Sequence, residues 1–122
     1  MTKEEKEILF KDLCARLPYH THVKVWLKDR ITEEGALDLQ HNYGNVLQDA
    51  FYYNKIKDIK PYLRPMSSMT EEEKSMYEGL MIGIDNISYM LDVIDWLNKN
   101  HFDYRGLIEK GLAIDATGLN IY

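Results

Sequence analysis

Four histidines, one cysteine and two aspartates a helical turn apart are the residues here whose chemistry could exceed structure. His20 and His22 are two apart, so on a strand they would share a face as zinc ligands can, with His41 able to join across a hairpin. No carboxylate stands at a telling distance from them, and strand-end histidines explain the pattern equally well. Cys14 could act as a nucleophile beside a histidine. It falls on the apolar stripe of a helix, however, which predicts a buried structural thiol. Asp92 and Asp95 read as the solvated outer face of another helix rather than as paired catalytic carboxylates. His101 follows that helix, where a cation would complement its dipole. There is no glycine-rich phosphate loop, no nucleophile elbow and no zinc-finger spacing. The sequence therefore predicts no enzyme, no cofactor and no metal.

The elements that would position these residues change character along the chain. Thr2 and Glu5 have capping-box spacing, and Ile8, Leu9, Leu13 and Leu17, widened by Phe10 and Cys14, recur at helical intervals until Pro18. This predicts a helix over residues 3–16. In "HTHVKVWLKD" (residues 20–29) Val23, Val25 and Leu27 alternate with Lys24, Trp26 and Lys28, the period of a half-buried strand. "TEEG" (32–35) is a turn candidate and "ALDLQ" (36–40) resumes the alternation, giving a hairpin. "AFYYNKIKDI" is rich in aromatic and β-branched residues and predicts a strand over about 50–57.

The second half reads as helical. Thr70 and Glu73 repeat the capping-box spacing, followed by Met76, Tyr77, Leu80 and Met81 on one face. A second helix over Ile87–Lys99 carries Ile87, Met90, Leu91, Ile94 and Leu97 at core spacing. A short third helix over 104–110 is capped by Asp103 and stopped by Gly111, with Leu112 where a Schellman ending places its apolar residue. "DATGLNIY" has no pattern that would hold it in place. The expected fold class is α+β in one domain. It comprises an N-terminal helix with a small antiparallel sheet or partial barrel (1–60), a proline joint (61–70), a helical hairpin with a short capping helix (71–114), and a mobile tail (115–122).

Between the halves stands "IKPYLRPMSSMTEEEK" (59–74). Pro61 and Pro65 bias Lys60 and Arg64 away from helical geometry, so the segment reads as a stiff joint with Tyr62, Leu63 and Met66 packed down and Arg64 reaching out. Its prolines are four apart, which does not fit the spacing of polyproline ligands. Together with "HFDYRGLIEKGLAI" (101–114) and the opening "MTKEEKEILFKDLCARLP", this phrase resembles a family of short uncharacterised proteins common in gut anaerobic bacteria. The resemblance implies a phage-like or mobile-element origin; it brings no catalytic residue or ligand with it.

The bulk numbers narrow the partner classes. The chain has 122 residues, 45% hydrophobic and 29% charged, enough for a core without disulfides or metals. One cysteine and no long apolar run predict a cytoplasmic protein without a membrane span. The net charge of −5 is uneven. Residues 1–65 hold 11 Lys and Arg against 10 Asp and Glu, whereas residues 66–122 hold 4 against 10. An acidic half repels polyanions and steers basic partners. The expected function is thus non-enzymatic binding of an unidentified, basic protein partner. The alternative is a small nucleic-acid module using Lys24, Trp26 and Lys28, extended by Tyr52, Tyr53, Lys55, Lys57 and Lys60, where bases would stack on aromatics and lysines follow phosphates. Arg64 is a further candidate contact, and an exposed sheet edge would permit a homodimer.

Overall fold

The computed structural model describes residues 2–27, 33–36 and 56–122. Helix α1 (Lys3–Arg16) starts at the expected capping box: the Thr2 hydroxyl accepts from the Glu5 N–H, and the Glu5 carboxylate accepts from the Thr2 N–H. A 3₁₀ turn (Leu17–Tyr19) ends with His20 in the left-handed region, φ 55°. The chain then enters β1 (His22–Leu27), paired antiparallel with β2 (Glu33–Ala36) and β3 (Ile56–Leu63). Leu9 and Leu13 of α1 cover Val23 and Val25 of β1 and Ile59 and Leu63 of β3, joined by Leu107, Leu112 and Ala113. The structure thus shows Val23 and Val25 on the inner face of β1 and Lys24 and Trp26 on the outer one, which the alternation alone leaves open.

Three strand expectations change. The "TEEG" turn contributes Glu33, Glu34 and Gly35 to β2, whose register sets Glu34 opposite Lys24; residues 37–40 lie outside those described. Of the strand expected over about 50–57, residues 50–55 lie outside those described; β3 runs from Ile56 to Leu63 and absorbs the first three residues of the expected joint. Pro61 is tolerated because its fixed φ suits extended backbone. It also stands at a handover: up to Pro61, β3 pairs with β1, and from Tyr62 it pairs with β4 (Ile114–Asp115). The β3–β4 pairing is parallel, so the sheet, in the order β2-β1-β3-β4, is mixed and not closed into a barrel. An α+β class is what the structure has.

After Pro65 and a second 3₁₀ turn (Met66–Ser68), α2 (Glu71–Met81) begins at the Thr70–Glu73 capping box and α3 (Ile87–Lys99) at Asn86, whose side chain accepts from the Ser88 N–H. The hairpin joins the sheet through a column of rings, Tyr77 on Trp96 on Phe102, with the Arg64 guanidinium 4.2 Å from the Phe102 centroid. Met69, Val93, Leu97 and Phe102 form this second core.

Residues 104–110 form consecutive turns, not the expected helix. Their ends are nevertheless as read: Asp103 accepts from the Leu107 and Ile108 N–H groups. Gly111 (φ 72°) is followed by the Leu112 N–H donating to Leu107 C=O and its own N–H donating to Ile108 C=O, the Schellman pair. The C-terminal segment is tied down where the pattern predicted none. The Ala116 N–H donates to Leu63 C=O, and the Tyr122 hydroxyl accepts from the His22 N–H at 2.8 Å while donating to Tyr62 C=O at 2.8 Å. A phenol thus continues the β1–β3 ladder past Pro61. None of the described helices is long and apolar enough to cross a membrane.

Candidate functional site

The helical hairpin is positioned from three places. At its base Arg64 grips Glu73 with both terminal nitrogens, at 2.8 and 2.7 Å, and its guanidinium also donates to Ser68 C=O. The hydrogen-bonded guanidinium holds the Glu73 carboxyl down to about 2. Arg64 therefore does not reach outward as expected. At the tip, the Tyr89 ring fills the space above Gly83: a Cβ there would stand 2.8 Å from the ring, so glycine is required for close approach. On the flank, the Tyr19 hydroxyl donates to Asp95 at 3.0 Å, linking α3 to the first 3₁₀ turn.

Within that frame α3 departs from its expected burial. Val93 and Leu97 are buried, but Ile87 is 74% exposed, Leu91 59% and Ile94 38%. Those three stand at i, i+4 and i+7, within an arc of about 60° on a helix of 3.6 residues per turn. Asp95 and Asp92 occupy the neighbouring arc, about 40° and 100° beyond Leu91 by the same geometry, and both are exposed as expected. Ile82, in the connecting turn, and Met76 of α2 are exposed as well. Of the five residues expected at core spacing, Ile87, Met90, Leu91 and Ile94 are exposed and Leu97 alone is buried; the buried positions of α3 are Val93, Leu97 and Asn98. Residues 71–99 hold seven Asp and Glu against two Lys, a balance of −5 that equals the charge of the whole chain. The arrangement is an aliphatic ridge edged by carboxylates.

The opposite candidate is the outer face of the sheet. Lys24 and Lys60 are cross-strand partners, and their ammonium groups lie 5.4 and 5.7 Å from the Trp26 centroid. Facing like charges repel, and the shared indole offsets this by cation–π attraction. Trp26 is half-buried and faces away from Val23 and Val25, so none of the described helices covers it in the way Leu9 and Leu13 cover the inner face. Lys28, Tyr52, Tyr53 and Lys55 lie outside the described residues. Lys60, expected to extend this patch, lies against Trp26 as expected.

The chemistry-bearing residues separate. His20 precedes β1 and does not share a strand face with His22, and His41 lies outside the described residues. Among the described residues no His, Cys, Asp and Glu side chains gather to hold a metal ion. Cys14 is exposed, not buried. The inward positions of α1 are taken instead by Asp12 and Arg16, an i, i+4 pair that is wholly buried. Asp12 accepts from Arg16 Nε at 2.8 Å and from Arg105 Nη1 at 2.8 Å, while Arg16 Nη2 donates to Phe102 C=O at 2.7 Å. The i, i+4 spacing of opposite charges was the sequence signal for this cluster. His101 does not act as a cation at the end of α3. Burial, helped by the nearby Arg16 and Arg64 cations, holds its ring down to about 4, and it stacks on Tyr122 with centroids 3.7 Å apart.

A polar cleft of about 530 Å³ lies between Arg64, Glu73, Thr117, Asn120 and Tyr122. Arg64 and Glu73 are committed to each other there. No family model, curated protein or solved structure matches the chain.

Proposed function

We propose that this protein is a non-enzymatic interaction factor that binds a basic protein partner through its acidic helical hairpin. The observation that carries the reading is the exposed ridge of Ile87, Leu91 and Ile94 beside Asp92 and Asp95. Burying one such aliphatic side chain is worth about 1.5–3 kcal/mol. A rim ion pair is worth about 0–1 kcal/mol. On those magnitudes the ridge sets affinity, and the carboxylates set which partner arrives and how fast. The chain works in the cytoplasm in this reading, and its mobile-element origin rests on the resemblance of its two ends and its joint. Capture from a host lysate, with the hairpin variant Leu91→Asp/Ile94→Asp alongside, is the test. Partners that survive nuclease, and that the variant and high salt release, support the proposal; retention unchanged by the variant contradicts it.

The second reading places single-stranded nucleic acid on the sheet face, favoured by the two lysines at Trp26. It expects binding that falls with salt and falls further in Trp26→Ala. An unaltered affinity in that variant counts against it. The lysines already held at the indole would have to give way before a base stacked fully, which makes this the weaker reading.

A further inference from the structure

We propose that the Ile87–Leu91–Ile94 ridge docks a cationic amphipathic helix. This rests on the interaction reading above and adds the partner's secondary structure and the placement of its charge. Three features lead to it. The ridge follows the axis of α3 for seven residues, about 10.5 Å or two turns, the spacing that another helix's side-chain grooves accept. A helix surface has its backbone N–H and C=O groups engaged internally, so an added strand would find no ladder to join, whereas a partner helix needs none. Finally, Asp95 and Asp92 border the ridge on the side away from the core, so the complementary segment carries Lys or Arg beside its apolar stripe. A second copy is disfavoured as the occupant, because each copy would bring the same balance of −5 from residues 71–99.

The probe is a labelled synthetic peptide of about 18 residues, long enough to fold against a partner. It is built from Leu at i, i+3, i+4, i+7 spacing with Lys elsewhere, and titrated into the full chain by fluorescence anisotropy. Two controls accompany it: a scrambled peptide of the same composition, and a Leu/Glu peptide with the original spacing. The expected result is saturable binding of the Leu/Lys helix, with a gain of peptide helicity in circular dichroism. Affinity should be about tenfold weaker for Leu91→Asp/Ile94→Asp, which removes the centre of the contact. It should be weakened less by Asp92→Asn/Asp95→Asn, whose effect vanishes at high salt.

Equal binding of the scrambled peptide would overturn the helix inference and leave the basic-partner reading standing. Equal binding of the Leu/Glu peptide would overturn the charge assignment. Failure of both cationic peptides to bind folded protein would sink the inference and the hairpin reading together. A wild-type dimer in sedimentation that Leu91→Asp/Ile94→Asp dissolves would replace the partner helix with a second copy. Loss of folding in that variant would show the ridge to be core and overturn the proposal as well, with Asp92→Asn/Asp95→Asn still reporting on the carboxylates.

Discussion

In β1, Val23 and Val25 are covered by Leu9 and Leu13 of α1, whereas in α3 the equally regular Ile87, Leu91 and Ile94 have no such cover among the described residues. Both sets follow the period of their element; the sequence put the α3 set at core spacing and left open which face of β1 is buried. The difference lies in what stands opposite. A sheet covered on one face by a capped helix and by the Leu107–Ala113 turns buries Val23, Val25, Ile59 and Leu63 there. A two-helix hairpin can bury only the side turned towards its partner and the ring column, namely Val93, Leu97 and Trp96. Periodicity reports which side chains share a face; a covering neighbour decides whether that face is inside.

The largest test of this contrast lies on the sheet side. Asp12→Ala would leave Arg16 buried without its carboxylate and strip a partner from Arg105. Breaking a buried ion pair in this way costs about 3–5 kcal/mol, and a urea titration should show it as a large drop in midpoint. A drop below 1 kcal/mol would mean that water reaches the cluster. Within α3 itself, Leu97→Ala should cost about 2–5 kcal/mol, as for other buried leucines. Six residues earlier, Leu91→Ala should stay within about 0.5 kcal/mol. Equal losses would erase the distinction between the two faces of the helix.

A smaller effect is expected where the C-terminal residue meets the sheet. Tyr122→Phe removes the hydroxyl that links His22 N–H to Tyr62 C=O, leaving both groups without it, at about 1–3 kcal/mol. Hydrogen exchange at His22 should accelerate, while α3 amides remain as protected as before.

The gentlest lever is pH. The folded His101 ring has its affinity for protons lowered from the ordinary 6.5 to about 4. The unfolded chain therefore binds the extra proton between those values, and stability should fall as pH drops from about 6.5 towards 4. His101→Gln should remove that slope. Glu73 adds a second loss between 4.5 and about 2, because its Arg64-bound carboxylate must be protonated there. A flat profile from pH 7 to 4 would contradict the buried, neutral His101.

Much of the skeleton was legible because the signals were local. Both capping boxes, the limits of α1 and α3, and the Gly111–Leu112 ending depend on residues within one turn of each other. What was missed depends on residues far apart. Pro61 reads as a breaker until β4 arrives to take over the pairing of β3. "DATGLNIY" lacks a pattern because its anchor is a single phenol reaching residues 22 and 62. Arg64 was expected to project outward because the spacing of prolines says nothing about Glu73, nine residues on. Cys14 was assigned to the interior because a polar pair, Asp12 and Arg16, was not expected to take the inward positions of α1. The candidate site was legible as a pattern and misplaced as an environment.

The most direct measurement is the urea unfolding of Leu91→Asp/Ile94→Asp against wild type, followed by circular dichroism. Two charges placed on a solvent-facing ridge should leave the folded spectrum intact and shift stability by no more than about 1 kcal/mol, near the range of surface substitutions. A loss of several kcal/mol, or failure to fold, would show that these side chains are buried in the protein itself and that the hairpin has no free ridge to offer a partner.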